Sequence, residues 1–326
     1  MNSSIESSSA MDTIVAMCRQ EEKYLAGDYL FQEQVAESTM TGPLNEQEAA
    51  TMIDIDVDCR TKMAAWCYRV VDFCQFDHET VAISMNILDR FMLSTQGQAA
   101  KEDRRTYQLA AMTSLYTAVK IHEPEAMDPA LIAKISHGTY TEQEVEDMEV
   151  QILQGVSWRV NTPTALSFVR ECLDLVDNQD LDEFERETVY HLAKVQTELA
   201  VSEYEFMSIR PSVVAYCSLM NALTSLGVEG CTLQQLWSTI AGAVSIGLDN
   251  TDSKLVVDVQ NYLYEAYLQE PEAQNIIQTC NPQLVNGLMM TESSSAVDNA
   301  MTGNKAIITA TSPSSSPRSI SATTTL

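Results

Sequence analysis

Ten helix-length stretches of apolar periodicity follow one another between residues 56 and 268, and the last five repeat the order of lengths of the first five. Residues 56–74 place Met63, Cys67, Val70 and Cys74 on one face, and residues 78–93 do the same with Val81, Met85, Leu88 and Met92. Side chains three and four positions apart share one side of a helix, so each stretch carries a stripe that another helix must cover. Residues 104–121, 129–136 and 141–155 complete the first set. Pro163 marks a restart, because a helix accepts proline in its first turn and not in its interior. Residues 164–176, 184–202, 212–226, 233–244 and 254–268 form the second set. The third helices of the two sets share a stripe: Ala111, Ser114, Leu115 and Ala118 recur as Ala215, Ser218, Leu219 and Ala222 at constant offset. Small side chains along one side let neighbours approach closely, as a central helix surrounded by four others requires.

The spacing therefore predicts an all-α chain of two tandem five-helix repeats, over residues 37–160 and 161–285. A short helical segment over 11–36 precedes them, where Ile14, Met17, Cys18 and Leu25 form a stripe that Gly27 interrupts. Residues 1–10 lack the pattern, and the tail over 286–326 is rich in Ser and Thr, so both are expected to be disordered.

A formal charge of -27 repels phosphate backbones and anionic membrane surfaces, and argues against nucleic-acid or membrane partners. No stretch approaches the ~20 apolar residues that span a bilayer. The eight cysteines form no C-x-x-C pair and several fall on apolar helix faces, which reads as reduced core thiols rather than zinc ligands. His78, His122, His137 and His191 have no metal-ligand spacing, so no metal or other cofactor is expected. There is no phosphate loop, dinucleotide fingerprint, H-E-x-x-H or G-x-S-x-G elbow, and an enzyme is not expected. The acidic run over 174–185 fails as a calcium loop: Glu183 stands where the turn glycine belongs and Val189 where the bidentate acid belongs. It reads as a solvated loop between helices.

Charges on otherwise apolar faces are more informative. Arg60 precedes Met63, Ala64 and Cys67 by three, four and seven residues, and Asp89 lies between Met85 and Met92 on the next helix. Either the two pair in the interior, where an isolated ion costs several kcal/mol, or both reach water from helix ends. Lys120 and Glu149 sit at the edges of apolar stripes. Each is either a snorkelling surface residue or a hydrogen-bonding group at the rim of a partner site.

These residues resemble the cyclin family over roughly residues 11–268. Phe76-Asp-His-Glu-Thr80 and Met85-Asn-Ile-Leu-Asp-Arg-Phe91 look like the opening of a cyclin box. Arg60, Asp89, Leu109, Lys120 and Glu149 stand at its five signature positions. The resemblance implies a bridge between Arg60 and Asp89, a core role for Leu109, and contacts from Lys120 and Glu149 to a cyclin-dependent kinase catalytic subunit. It also implies a docking patch for kinase substrates or inhibitors at Met63, Trp66 and Gln108, with Lys62 and Arg69 departing from the usual apolar pattern. Residues 19–30 and the Trp158-Arg159…Thr162-Pro163 passage are most similar to D-type cyclins; no L-x-C-x-E motif is present, and the lack of an R-x-x-L destruction box before the first repeat argues against a mitotic A or B type. A transcription factor of the same fold, or a scaffold without a kinase, is the alternative; the lack of a basic stripe weighs against the first. The family implies a nuclear or cytoplasmic location. Ser312 and Ser316, each followed by proline, are candidate phosphorylation sites in the tail.

Overall fold

The computed structural model describes residues 2–30, 55–125, 127–176, 181–227 and 250–280, and every regular element among them is a helix. The N-terminal helix α1 spans Asn2–Glu21. The first repeat contains α2 (Val57–Cys74), α3 (Glu79–Met92), the single-turn α4 (Gln98–Glu102), α5 (Arg104–His122), α6 (Pro129–Ile135) and α7 (Glu142–Gly155). The second contains α8 (Ala165–Asp174), α9 (Glu183–Ser202), a 3-10 turn at Tyr204–Ser208, α10 (Pro211–Leu226), α11 (Asn250–Tyr267) and α12 (Pro271–Cys280). The helix expected over 233–244 and the tail with Ser312 and Ser316 lie outside the described residues.

Helix starts are set by local chemistry. Asp56, Asp103, Asp128, Thr141, Thr164 and Asp182 each accept a hydrogen bond from a backbone N–H of the first turn, which satisfies a donor the helix itself cannot. Thr141 with Glu144, and Asp182 with Glu185, close reciprocal capping boxes. The end of the acidic run at 182–185 is thus the N-terminus of α9 rather than loop.

The shared stripe lands where its composition predicted. Ala111, Ser114, Leu115 and Ala118 on α5, and Ala215, Ser218, Leu219 and Ala222 on α10, are all buried. Around α5 pack α2, α3, α4, α6 and α7; around α10 pack α8, α9, α11 and α12. Leu109 faces the core of the first repeat. Cys18, Cys67, Cys172 and Cys217 are buried among apolar side chains, and burial pushes each thiol up to about 12.

Helix α1 differs from expectation at its start. It begins at Asn2, so residues 2–10 extend the helix instead of being disordered, since adding a residue to an existing helix is far easier than nucleating one. It packs against α8 of the second repeat. At its end Glu21, fully buried, accepts hydrogen bonds from the Ser212 N–H at 2.9 Å and the Ser212 hydroxyl at 2.6 Å. Helix α10 opens on Pro211 with no side-chain cap from Arg210, and the Glu21 carboxylate supplies that cap from another part of the chain. Burial raises the pKa of Glu21, against the pull of Ser212.

The repeats meet where α9 packs on α2 and α3. There His78 stands between two carboxylates, with Nδ1 3.0 Å from Glu198 and Nε2 2.6 Å from Asp72. The neighbouring Tyr68 meets the His78 ring edge-on and donates its hydroxyl to the Glu198 carbonyl.

Candidate functional site

Arg60 on α2 and Asp89 on α3 form a two-point bridge in the interior. Nε donates to Oδ1 at 3.0 Å and Nη2 to Oδ2 at 2.9 Å, with both residues about 2% exposed. Burial works against the arginine charge, but the carboxylate beside it outweighs that and holds the guanidinium pKa above its ordinary value. The bridge reaches further than the first repeat. The Tyr29 hydroxyl donates to Asp89 Oδ1 at 3.1 Å, and Arg60 Nη1 donates to the Val201 carbonyl at 3.0 Å, at the end of α9. Tyr204, next to that end, accepts from the Tyr29 and Leu30 backbone N–H groups and donates to Asp28. One ion pair therefore ties α2 and α3 to the N-terminal segment and to the second repeat.

Lys120, in the last turn of α5, and Glu149, on α7, are paired with each other. Lys120 Nζ lies 3.1 Å and 3.2 Å from the two carboxylate oxygens and 5.4 Å from the centre of the Tyr116 ring. Partial burial of the ammonium would lower its pKa, but the hydrogen bond and charge of Glu149 prevail and raise it. The lysine side chain is 49% exposed and the glutamate side chain 13%. The pair thus stands at the surface with donor capacity to spare, beside the exposed apolar residues Ile121 and Val150. Sequence spacing placed each residue at a stripe edge but gave no sign that they meet, because that depends on how α5 and α7 pack.

The residues of the expected docking patch are distributed differently. Met63 is buried in the core and offers little surface. Trp66 is half-buried against that core, and Gln108 is exposed with its carbonyl oxygen accepting from the Tyr140 hydroxyl at 2.9 Å. Lys62 is exposed and paired with Asp58 one turn earlier. Among the described residues no group of three or more His, Cys, Asp or Glu side chains is arranged to hold a metal ion. No described helix is long and apolar enough to cross a membrane.

Comparison with known proteins agrees with this architecture. The model of the cyclin N-terminal domain matches residues 19–161, and that of the cyclin C-terminal domain matches residues 163–277. Similar curated proteins include Cyclin-A2-2 of Arabidopsis thaliana, 25% identical over 76% of this chain and 56% of the relative. G2/mitotic-specific cyclin-B of Drosophila melanogaster is 28% identical over 60% of this chain and 34% of the relative. Cyclin-B1-1 of Oryza sativa subsp. japonica is 31% identical over 56% of this chain and 40% of the relative. The chain thus spans about half or less of the length of these relatives. Among solved structures, the viral cyclin from herpesvirus saimiri shares the fold with a TM-score of 0.51 at 16% identity, over 74% of this chain and 98% of that chain. The curated relatives among these are named as A- and B-type cyclins, so the comparison does not single out the expected D-type resemblance. That expectation rested on two short passages, 19–30 and 158–163, and they carry less weight than a match extending over 258 residues. Two matched domains in tandem, each built around a buried central helix and together covering most of the sequence, show that the chain belongs to the cyclin family.

Proposed function

We propose that the chain is the regulatory subunit of a cyclin-dependent serine/threonine kinase, that it takes part in cell-cycle control, and that Lys120 and Glu149 contact the catalytic subunit. The observation that carries this reading is the Lys120–Glu149 pair at its two cyclin-box signature positions, solvent-accessible and flanked by exposed Ile121 and Val150. A protein kinase is active when the Lys–Glu pair to its mobile αC helix is formed and its activation loop is ordered. A rigid helical surface that binds only that arrangement shifts the kinase toward it, by as much as its differential affinity allows. The chain supplies no reacting group in this mechanism. Rigidity comes from the Arg60–Asp89 junction, which fixes the N-terminal segment and both repeats around one buried ion pair.

The same reading assigns a nuclear or cytoplasmic location, a regulatory tail phosphorylated at Ser312 and Ser316, and recruitment of substrates or inhibitors at a reduced patch formed by Trp66 and Gln108. A pull-down with the full chain from native extract, followed by identification of the bound kinase, tests the proposal. Recovery of a cyclin-dependent kinase that is lost with the Lys120→Ala/Glu149→Ala double variant is expected; equal recovery by both proteins would overturn the assignment of these residues.

A further inference from the structure

Arg19 and Lys23, at the end of α1 and in the turn after it, and Arg159, from the connection between the repeats, line one surface pocket of about 430 Å³, completed by Ala16, Gln20 and Tyr24. In a chain with 19 Lys and Arg against 46 Asp and Glu, the ordinary neighbour of a cation is a carboxylate. None of these three has one among the described residues. The nearest acids in sequence are engaged elsewhere: Glu21 by Ser212, and Glu22 at 3.7 Å from Arg210. Arg19 in the last turn of α1 complements the helix dipole, which accounts for it without any ligand. Arg159 lies on no helix and has no such reason to be there.

The pocket is held in shape from beneath. Arg90 of α3 donates from Nη1 to the Arg159 carbonyl at 2.6 Å and from Nη2 to the Val156 carbonyl at 3.0 Å. Its guanidinium also stands 4.6 Å from the centre of the Tyr24 ring. Gln20 Nε2 donates to the Asn161 carbonyl at 2.7 Å. A single arginine thus fixes both chain segments that carry the free cations. Between Val156 and Arg159 the backbone passes through two successive left-handed residues, Ser157 at φ 55° and Trp158 at φ 61°, a conformation unfavourable for non-glycine side chains. Such strain persists where the surrounding structure over-determines it and clusters at binding sites.

We infer that this pocket binds a phosphorylated serine or threonine of a protein partner. Two guanidinium forks and one ammonium provide the donors a phosphate group recognises. Nucleic acid and anionic membranes need an extended basic surface, whereas this island is part of a body with a net charge of -27. One phosphate, carrying roughly -1.5 to -2 charges, matches three cations that line one open surface pocket. The inference uses none of the residues assigned to kinase binding.

The test is NMR of the full chain with arginine side chains labelled, titrated with a six-residue peptide carrying one central phosphoserine. Saturable shifts of the Arg19 and Arg159 Nε–H signals are expected, absent with the unphosphorylated peptide. Affinity should fall at least tenfold in Arg159→Glu and in Lys23→Ala, with helical content and melting temperature unchanged. No saturable shift, an equal response to the unphosphorylated peptide, or tighter binding of single-stranded DNA or phosphatidylserine vesicles would overturn the inference.

Discussion

Replacing Arg60 with alanine removes four charge-assisted hydrogen bonds at once: two to Asp89, one to the Val201 carbonyl and a longer one, 3.4 Å, to the Ser202 carbonyl. Asp89, about 2% exposed, would keep only the Tyr29 hydroxyl as partner among the described residues. Removing one member of a buried pair typically costs ~3–5 kcal/mol, because the remaining charge is left desolvated. At roughly 2–4 °C per kcal/mol for a domain of this size, the melting temperature should fall by about 6–20 °C. Circular dichroism melts of the wild type, Arg60→Ala, Asp89→Ala and the double variant would measure it, and the double variant should lose less than the sum of the singles. Hydrogen exchange adds a spatial check. The Tyr29 and Leu30 amides, bonded to Tyr204, should lose protection in Arg60→Ala even though Arg60 touches neither. A single variant melting within 2 °C of the wild type, or additive losses, would refute the view that this pair organises the junction.

His78 between Asp72 and Glu198 gives a pH dependence with a definite sign. Partial burial lowers its pKa, the two carboxylates more than compensate, and the folded value lies above the ordinary 6.5. Its contribution to stability is therefore complete below about pH 6.5 and lost as pH rises through the folded value. Burial raises the Glu198 pKa, with Lys194 at 3.6 Å and His78 pulling it down, and this acts in the same direction. The melting-temperature advantage of the wild type over His78→Gln should be larger at pH 6 than at pH 9; a gap that widens with pH would contradict it. Deleting residues 291–326 should leave kinase activation in vitro intact and lengthen the half-life in cells. An unchanged half-life, with no phosphate at Ser312 or Ser316, would remove the regulatory role of the tail.

Much of the fold was legible in the sequence because its signals are local. The stripe shared by residues 111–118 and 215–222 identifies the two central helices, and a charge on an apolar face singles out Arg60 and Asp89. What escaped depends on contacts distant in sequence. The Val201 carbonyl that Arg60 reaches, the Glu21 carboxylate that caps α10, and the meeting of Lys120 with Glu149 each require the packed structure. The same holds for the contacts of His78, which the sequence showed as part of the Phe76–Thr80 stretch and as a histidine without metal-ligand spacing. Helix α12 was missed although Pro271 at its first turn and the buried Ala273 and Ile277, four residues apart, marked it. Met63 belongs to the core for the same reason that it lies on the stripe with Cys67 and Val70, so a docking role carried over by resemblance conflicts with its periodicity.

The central claim is that this surface switches on a kinase through Lys120 and Glu149. Its most direct measurement is phosphorylation of a peptide substrate by the purified catalytic subunit recovered with the chain, titrated with wild type, Lys120→Ala and Glu149→Ala. An exposed ion pair adds only ~0–1 kcal/mol to folding, whereas a polar contact central to an interface is often worth ~2 kcal/mol or more. Each variant should therefore need about 30-fold more protein for half-maximal activation, with its melting temperature nearly unchanged. Half-maximal activation by both variants at the wild-type concentration, or no activation by the wild-type chain, would contradict the account.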